Sequence, residues 1–320
     1  MERRPVQRSL RCPPATFQLH QGMIVIPKRT LLLSVLAGAL AVSVAAPAQA
    51  RVTSSSTTAL FYSAALSGAN EVGAPGDPDG SATSLVQIDG NVVTFAFTWK
   101  NIPAPTMGHI HVGAAGVGGG VKVPLFTSAL PETTDGAGGV VAVNDPALVA
   151  AIVAHPSDFY LNLHTSEFPA GAVRGQLAPA RRNRYPIDLL KGLPLQALLD
   201  GGQEVAVPGG PAVGDPDGQG IAMVRAAGRK VKYTLAWGGI GKPTMGHLHV
   251  GAAGVSGPVV VPLFMSPVPD NIFAIAGTIK GVDKTLVTKI RKDPHGYYAN
   301  LHTAEFPGGA IRGQLHSRGK

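Results

Sequence analysis

Cysteine is almost missing from this chain, which holds one, Cys12, in 320 residues. No disulfide can staple the fold, and thiolate chemistry is excluded beyond that position. Burial and hydrogen bonding must therefore supply the stability. Charge is scarce as well, at 14% Asp, Glu, Lys and Arg, and aromatic residues make up 6%. With 45% hydrophobic residues, that balance argues for a packed core and against disorder. An all-helical fold is excluded by punctuation, because 41 Gly and 27 Pro interrupt the chain too often for long helices. The formal charge of +8 suggests nucleic acid until it is divided along the chain. Residues 1–50 hold six of the 27 Lys and Arg and one of the 19 acids, which leaves 21 against 18 in residues 51–320. Nucleic acid is therefore not an expected partner.

The basic excess sits in what reads as a leader. Met23 opens a segment carrying Lys28 and Arg29, then an apolar run from Leu31 to Ala46, then Ala48-Gln49-Ala50. This is the pattern of a secretory signal peptide over residues 23–50, cut before Arg51. Residues 1–22, with Arg3, Arg4, Arg8 and Arg11 in no periodic order, read as an N-terminal extension from a start codon assigned too early. The apolar run is shorter than the roughly 20 residues a spanning helix needs. No later segment has 18 unbroken apolar residues, so no stable membrane insertion is expected after cleavage. The expected destination is outside the cytoplasm, with an extracellular protein or a cell-envelope ligand as partner.

Internal repetition decides the architecture. Thr106 to Phe126 (TMGHIHVGAAGVGGGVKVPLF) matches Thr244 to Phe264 (TMGHLHVGAAGVSGPVVVPLF) at 17 of 21 positions, with an offset of 138. Tyr160 to Leu177 matches Tyr298 to Leu315 at 14 of 18 with the same offset, whereas Thr127 to Asp158 keeps 8 of 32. Something held two blocks fixed while the stretch between them drifted. The repeated units run over 59–179 and 195–317. The linker 180–194 carries Arg181, Arg182 and Arg184, a solvated basic segment whose other reading is a membrane-surface contact.

Within each unit the period is mostly two. Val93, Phe95, Phe97 and Trp99 alternate with Thr94, Ala96 and Thr98, and Val231, Tyr233, Leu235 and Trp237 repeat the pattern. Asp145-Pro146 predicts a helix start, with Leu148, Val149, Ile152 and Val153 on one face. A matching helix is expected after Asp283. Short strands, one helix per unit and Gly/Pro turns predict an all-β chain of two tandem antiparallel β-sandwiches, immunoglobulin-like or Greek-key, each with one short helix.

The fixed blocks carry the chemistry. In Gly108-His109-Ile110-His111-Val112 a strand puts both histidines on one face, about 6.6 Å apart along the chain, near enough to converge on one ion. Alternation in Leu161-Asn162-Leu163-His164 turns Asn162 and His164 away from the buried leucines, which makes His164 a candidate third ligand. His247, His249 and His302 repeat the set, with Asn300 standing for Asn162. Three neutral imidazoles suit copper or zinc and leave a position open for water. The plainer reading has these histidines bond one another and backbone carbonyls in a polar seam that fixes register. Glu167 and Arg174, with Glu305 and Arg312 in the second unit, flank a turn and are placed to pair across it. Their functional reading makes Glu167 a base beside a metal-bound water, or a carboxylate that orients a ligand histidine.

Other motifs say less. Gly113 to Gly120 lacks the Gly-Lys-Ser/Thr ending of a phosphate loop and reads as a long loop out of the His-x-His strand whose glycines permit positive φ. Asp77-Pro78-Asp79-Gly80 and Asp215-Pro216-Asp217-Gly218 read as turns rather than calcium sites. His155 and His295 fall at unmatched places and are expected at the surface.

Together GHIHVGAAG, NLHT, EFP and GAVRGQL resemble the CHRD domain, first recognised in the extracellular protein chordin and also seen in bacterial secreted proteins. The resemblance covers both units. It implies an extracellular β-rich module, and it marks His109, His111, Asn162, His164, Thr165, Arg174, Gly175 and Gln176, with their second copies, as motif positions without an assigned chemistry. The His-x-His strand is also similar to part of the copper/zinc superoxide dismutase site, another β-sandwich, but that family's cysteine pair and longer zinc-binding run are missing here. The leading expectation is an exported binding or structural module, with no catalytic residue assigned, whose repeated histidines are candidate ligands for a divalent transition metal. The alternative is a secreted copper- or zinc-dependent enzyme, redox or hydrolytic.

Overall fold

The computed structural model describes residues 59–181, residue 186 and residues 192–318. The expected extension, signal peptide and cleavage site lie outside the described residues, as do Arg182 and Arg184. The first repeat folds as β1 (Leu60–Ser67), β2 (Ser81–Asp89), β3 (Val92–Lys100), β4 (Met107–Val112), β5 (Val121–Phe126), β6 (Thr134–Ala142), α1 (Pro146–Ala154), β7 (Phe159–His164), β8 (Val173–Gln176) and a two-residue β9 (Ala178–Pro179). The second follows with β10 (Leu195–Asp200), β11 (Gln219–Ala227), β12 (Lys230–Gly238), β13 (Pro243–Val250), β14 (Val259–Phe264), β15 (Ile272–Lys280), α2 (Lys284–Lys292), β16 (Tyr297–Thr303), β17 (Ile311–Gln314) and β18 (His316–Ser317).

The chain is all-β and its ladders are antiparallel, as the alternation predicts. In each repeat the strands form two layers. In the first, β5-β4-β7-β8 is one layer and β1-β2-β3-β6 the other, joined where Ser67 pairs with Arg174. The chain leaves β3 for the far layer and returns at β6, a Greek-key path. Inward positions meet between the layers: Phe126 lies 6.5 Å from both Phe95 and Phe97, ring centre to ring centre. Val93, Phe95, Phe97 and Trp99 are buried while Thr94 and Thr98 are half-exposed, because strand side chains alternate faces. No helix among the described residues is long and apolar enough to cross a membrane.

Both helices start where the caps predict. Asp145 accepts from the Leu148 amide at 3.0 Å and Asp283 from the Leu286 amide at 2.8 Å. In α2, Val287 and Ile290 are buried, while Lys284, Lys289, Arg291 and Lys292 face solvent. In α1 only Ile152 is fully buried; Leu148, Val149 and Val153 are half-covered.

The repeats join through equivalent strands. β6 pairs with β15, Gly139 opposite Ile272 and Thr134 opposite Gly277. Because the repeat offset is 138, each of these pairs is the other with the repeats exchanged, so the junction is pseudo-two-fold. Close approach requires glycine: a Cβ on Gly139 would sit 2.8 Å from the Asn271 carbonyl oxygen and 2.5 Å from Phe95 Cζ. Side chains lock the seam. Thr133 donates to the Leu263 carbonyl at 2.6 Å, leaving its oxygen to accept from the Tyr233 hydroxyl at 3.0 Å, and Thr278 donates to Asp135 at 2.8 Å. The ladders thus run as one open path from β5 through β6 and β15 to β14.

Candidate metal centre

Leu161 and Leu163 on β7 and Ile110 on β4 are buried in the core, which turns their neighbours outward. Register then does the assembling. His109 stands opposite Asn162, which stands opposite Arg174; His111 stands opposite Tyr160, which stands opposite Gln176; His164 lies one step away, opposite Met107. This outward face is covered too. His109, His111, His164 and their copies are only 5–8% exposed; the 113–120 loop lies against His111 and the turn at Pro169 against His164, with the 251–257 loop and Pro307 in the same places in the second repeat.

Arg174 holds the 113–120 loop down. It donates to the carbonyls of Ala114 at 2.9 Å and Val117 at 2.8 Å, and its guanidinium lies 3.4 Å over the centre of the Tyr160 ring. Gln176 donates to the Gly113 carbonyl at 2.9 Å. The glycines have the role expected of them, with Gly113 at φ 147° and Gly116 at φ 76°. Tyr160 in turn stacks on His111 with ring centres 4.8 Å apart. Arg312, Gln314, Tyr298 and the 251–257 loop repeat these contacts.

The three histidines of each repeat converge, with one nitrogen from each ring within 4.8 Å of the other two. Backbone carbonyls fix two of the tautomers. His111 Nδ1 lies 2.9 Å from the Gly119 carbonyl and His164 Nδ1 lies 3.0 Å from the Pro169 carbonyl. A carbonyl only accepts, so both Nδ1 atoms carry the proton and both Nε2 atoms keep lone pairs. His109 Nδ1 stands 3.0 Å from the His164 lone pair. His111 Nε2 is buried and has no hydrogen-bond partner among the described residues. The second repeat matches, with Gly257 and Pro307 as the carbonyls and His249 Nε2 as the unpartnered atom.

Burial keeps these rings neutral. Desolvation, then the neighbouring His164 and His111, pushes His109 down to about 4, and desolvation with His302 and His249 does the same to His247. Desolvation also lowers His111, His164, His249 and His302. Neutral imidazole is the form that binds a metal.

The pairing expected of Glu167 with Arg174 and of Glu305 with Arg312 is not found among the described residues. Glu167 and Glu305 are exposed, while Arg174 and Arg312 are 2% exposed and point at the loops. The carboxylates at the site are Glu71 and Glu204, each directly after a short helical turn that ends β1 or β10. Asn162 donates to both Glu71 oxygens at 3.1 and 3.2 Å, and Asn300 donates to Glu204 at 3.3 Å. Burial raises Glu71 to about 7 against the opposing pull of Asn162 and Arg174, and raises Glu204 to about 7 against Arg312 and Asn300. Sequence held a signal for them, since Gly68-Ala-Asn-Glu71-Val recurs as Gly201-Gly-Gln-Glu204-Val. The offset there is 133 instead of 138, because the following loop is longer in the second repeat, so the match falls outside the two aligned blocks.

A family model described as CHRD domain matches residues 62–177 and again 195–315. The chain belongs to the CHRD-domain family. No curated protein and no solved structure matches it. Each CHRD repeat thus carries one histidine trio, one half-buried carboxylate and one arginine that clamps the loop. The turns and surface positions also fall where expected: Asp77 and Asp215 accept from the amides of Asp79 and Asp217, closing tight turns, and His155 and His295 are exposed.

Proposed function

We propose that this tandem CHRD protein is an exported binding or structural module whose two repeats each hold one divalent transition metal, copper or zinc. The ligands are His109, His111 and His164 in the first repeat and His247, His249 and His302 in the second. One observation carries this reading. Five buried side-chain atoms lack a hydrogen-bond partner among the described residues: His111 Nε2, Asn162 Oδ1, His249 Nε2, Asn300 Oδ1 and Glu204 Oε1. All five belong to the two sites. Leaving such an atom unpaired costs about 1–3 kcal/mol, and a seam kept only for register would pair them. A metal at the trio takes up the imidazole lone pairs.

The chemistry of the donors points the same way. Neutral nitrogen ligands without sulfur suit copper and zinc, and the carbonyls that hold Nδ1 are the outer partners such ligands usually have. Ligand nitrogens around a tetrahedral ion stand roughly 3.3 Å apart, so the trio has to tighten modestly when it binds. The enzyme reading has less support, because Glu167, the base it would need, is exposed and makes no hydrogen bond to the trio among the described residues.

Metal analysis of the full chain tests the proposal. After loading with zinc or copper and desalting, about two equivalents per chain are expected, falling to about one in His111→Phe and to none in the His111→Phe, His249→Phe pair. Less than one equivalent in the unaltered chain overturns it.

A further inference from the structure

The two trios share their nitrogens, carbonyl partners and spacing, and the hydrogen-bond partners of their rings differ at one place. On the outer edge of the His247 ring, Nε2 lies 3.2 Å from Met265 Sδ. The matching position in the first repeat is Thr127, which is exposed and makes no hydrogen bond to His109 among the described residues. Met265 is itself 61% exposed, so core packing does not account for its place against the ring.

Metal binding changes where the proton of the first histidine sits. His164 and His302 hold their protons on Nδ1, toward carbonyls, and offer lone pairs from Nε2. Without a cation, His109 and His247 satisfy those lone pairs through Nδ1–H at 3.0 Å. Once a metal takes Nδ1, a neutral ring must carry its proton on Nε2. In the first repeat that proton turns to solvent. In the second it meets a thioether already in place, a weak acceptor that also covers the ring edge with a polarizable apolar group.

We infer that Met265 is a positioning residue that makes His247, His249 and His302 the tighter of the two centres, so that the second repeat fills before the first. The inference rests on the metal reading above and ranks its two sites. Outer partners of ligand histidines change metal affinity by about 10- to 100-fold. For a sulfur acceptor the lower end applies, a gap of about tenfold.

Titration of the full chain with zinc chloride, in competition with a chromophoric chelator, reads the gap as two dissociation constants. M265T is expected to bring the two together, and T127M is expected to tighten the first site, a gain that damaged folding cannot imitate. Nitrogen-resolved NMR at one equivalent of zinc is expected to move the His247, His249 and His302 signals first, with the His247 proton on Nε2. If no zinc binds, the metal reading and this inference fall together. If zinc binds both sites equally, or if M265T leaves the gap unchanged, the metal reading stands and the role of Met265 is overturned.

Discussion

Replacing His111 and His249 by phenylalanine separates a metal site from a register seam. Phenylalanine keeps the stacking on Tyr160 and Tyr298, where ring centres lie 4.8 Å apart. It gives up the bonds to the Gly119 and Gly257 carbonyls, at about 1 kcal/mol each, and removes two unpartnered nitrogens that cost about 1–3 kcal/mol each. Without metal, the double variant should therefore be as stable as the unaltered chain or more so, by up to about 4 kcal/mol. With zinc at a hundred times its dissociation constant, each intact site adds about 2.7 kcal/mol. The unaltered chain should gain about 5 kcal/mol, and the variant nothing. Urea unfolding in chelator and in excess zinc reads both numbers. Trp99 and Trp237, each 5% exposed, report on one repeat apiece by fluorescence. A variant that loses several kcal/mol in chelator, beside an unaltered chain indifferent to zinc, would refute the argument and leave the histidines as a structural seam.

Two further outcomes follow from the geometry. His109 and His247 are held at about 4 against an unfolded value of 6.5. The unfolded chain binds the extra protons, so metal-free stability falls as pH drops from 6.5 to about 4, by about 3 kcal/mol per histidine. Glu71 and Glu204, raised to about 7 from 4.5, act oppositely and withdraw stability as pH rises from 4.5 through 7. Burial lowers the other four histidines as well, and they act with His109 and His247. Urea midpoints of the metal-free chain should therefore rise between pH 4.5 and 6.5, and E71Q/E204Q, which removes the opposing carboxylates, should steepen that rise; an unchanged slope in the variant would count against the raised carboxylates. At the junction, Gly139→Val places a branched side chain against Phe95 and the Asn271 carbonyl and should cost about 1–3 kcal/mol. Small-angle scattering should show the repeats parting, and an unchanged radius of gyration with an unchanged melting temperature would show that β6 and β15 do not hold them.

Much of this was legible because strand alternation is a strict rule. Ile110, Leu161 and Leu163 had to face the core, so His109, His111, Asn162 and His164 had to share the opposite face, and β4 beside β7 completed the trio. Asp145 and Asp283 announced their helices through their side-chain caps. The arginine was misread for a physical reason. Across a turn Glu167 is the nearest carboxylate in sequence to Arg174, but carbonyls of a glycine-rich loop offered Arg174 two acceptors inside the fold, and loop paths leave no periodic trace. Glu71 was hidden by a change in repeat offset. The pairing of β6 with β15 was hidden by composition, since Asp135-Gly-Ala-Gly-Gly139 has too few large side chains to alternate and says nothing about register.

Anomalous diffraction from crystals of the full chain, grown with zinc and measured across its absorption edge, addresses the central claim without intermediaries. Two peaks should appear, one in each repeat, each about 2.0–2.1 Å from a nitrogen of all three histidines. Metal-free trios, with zinc absent or confined to surface side chains, would contradict it.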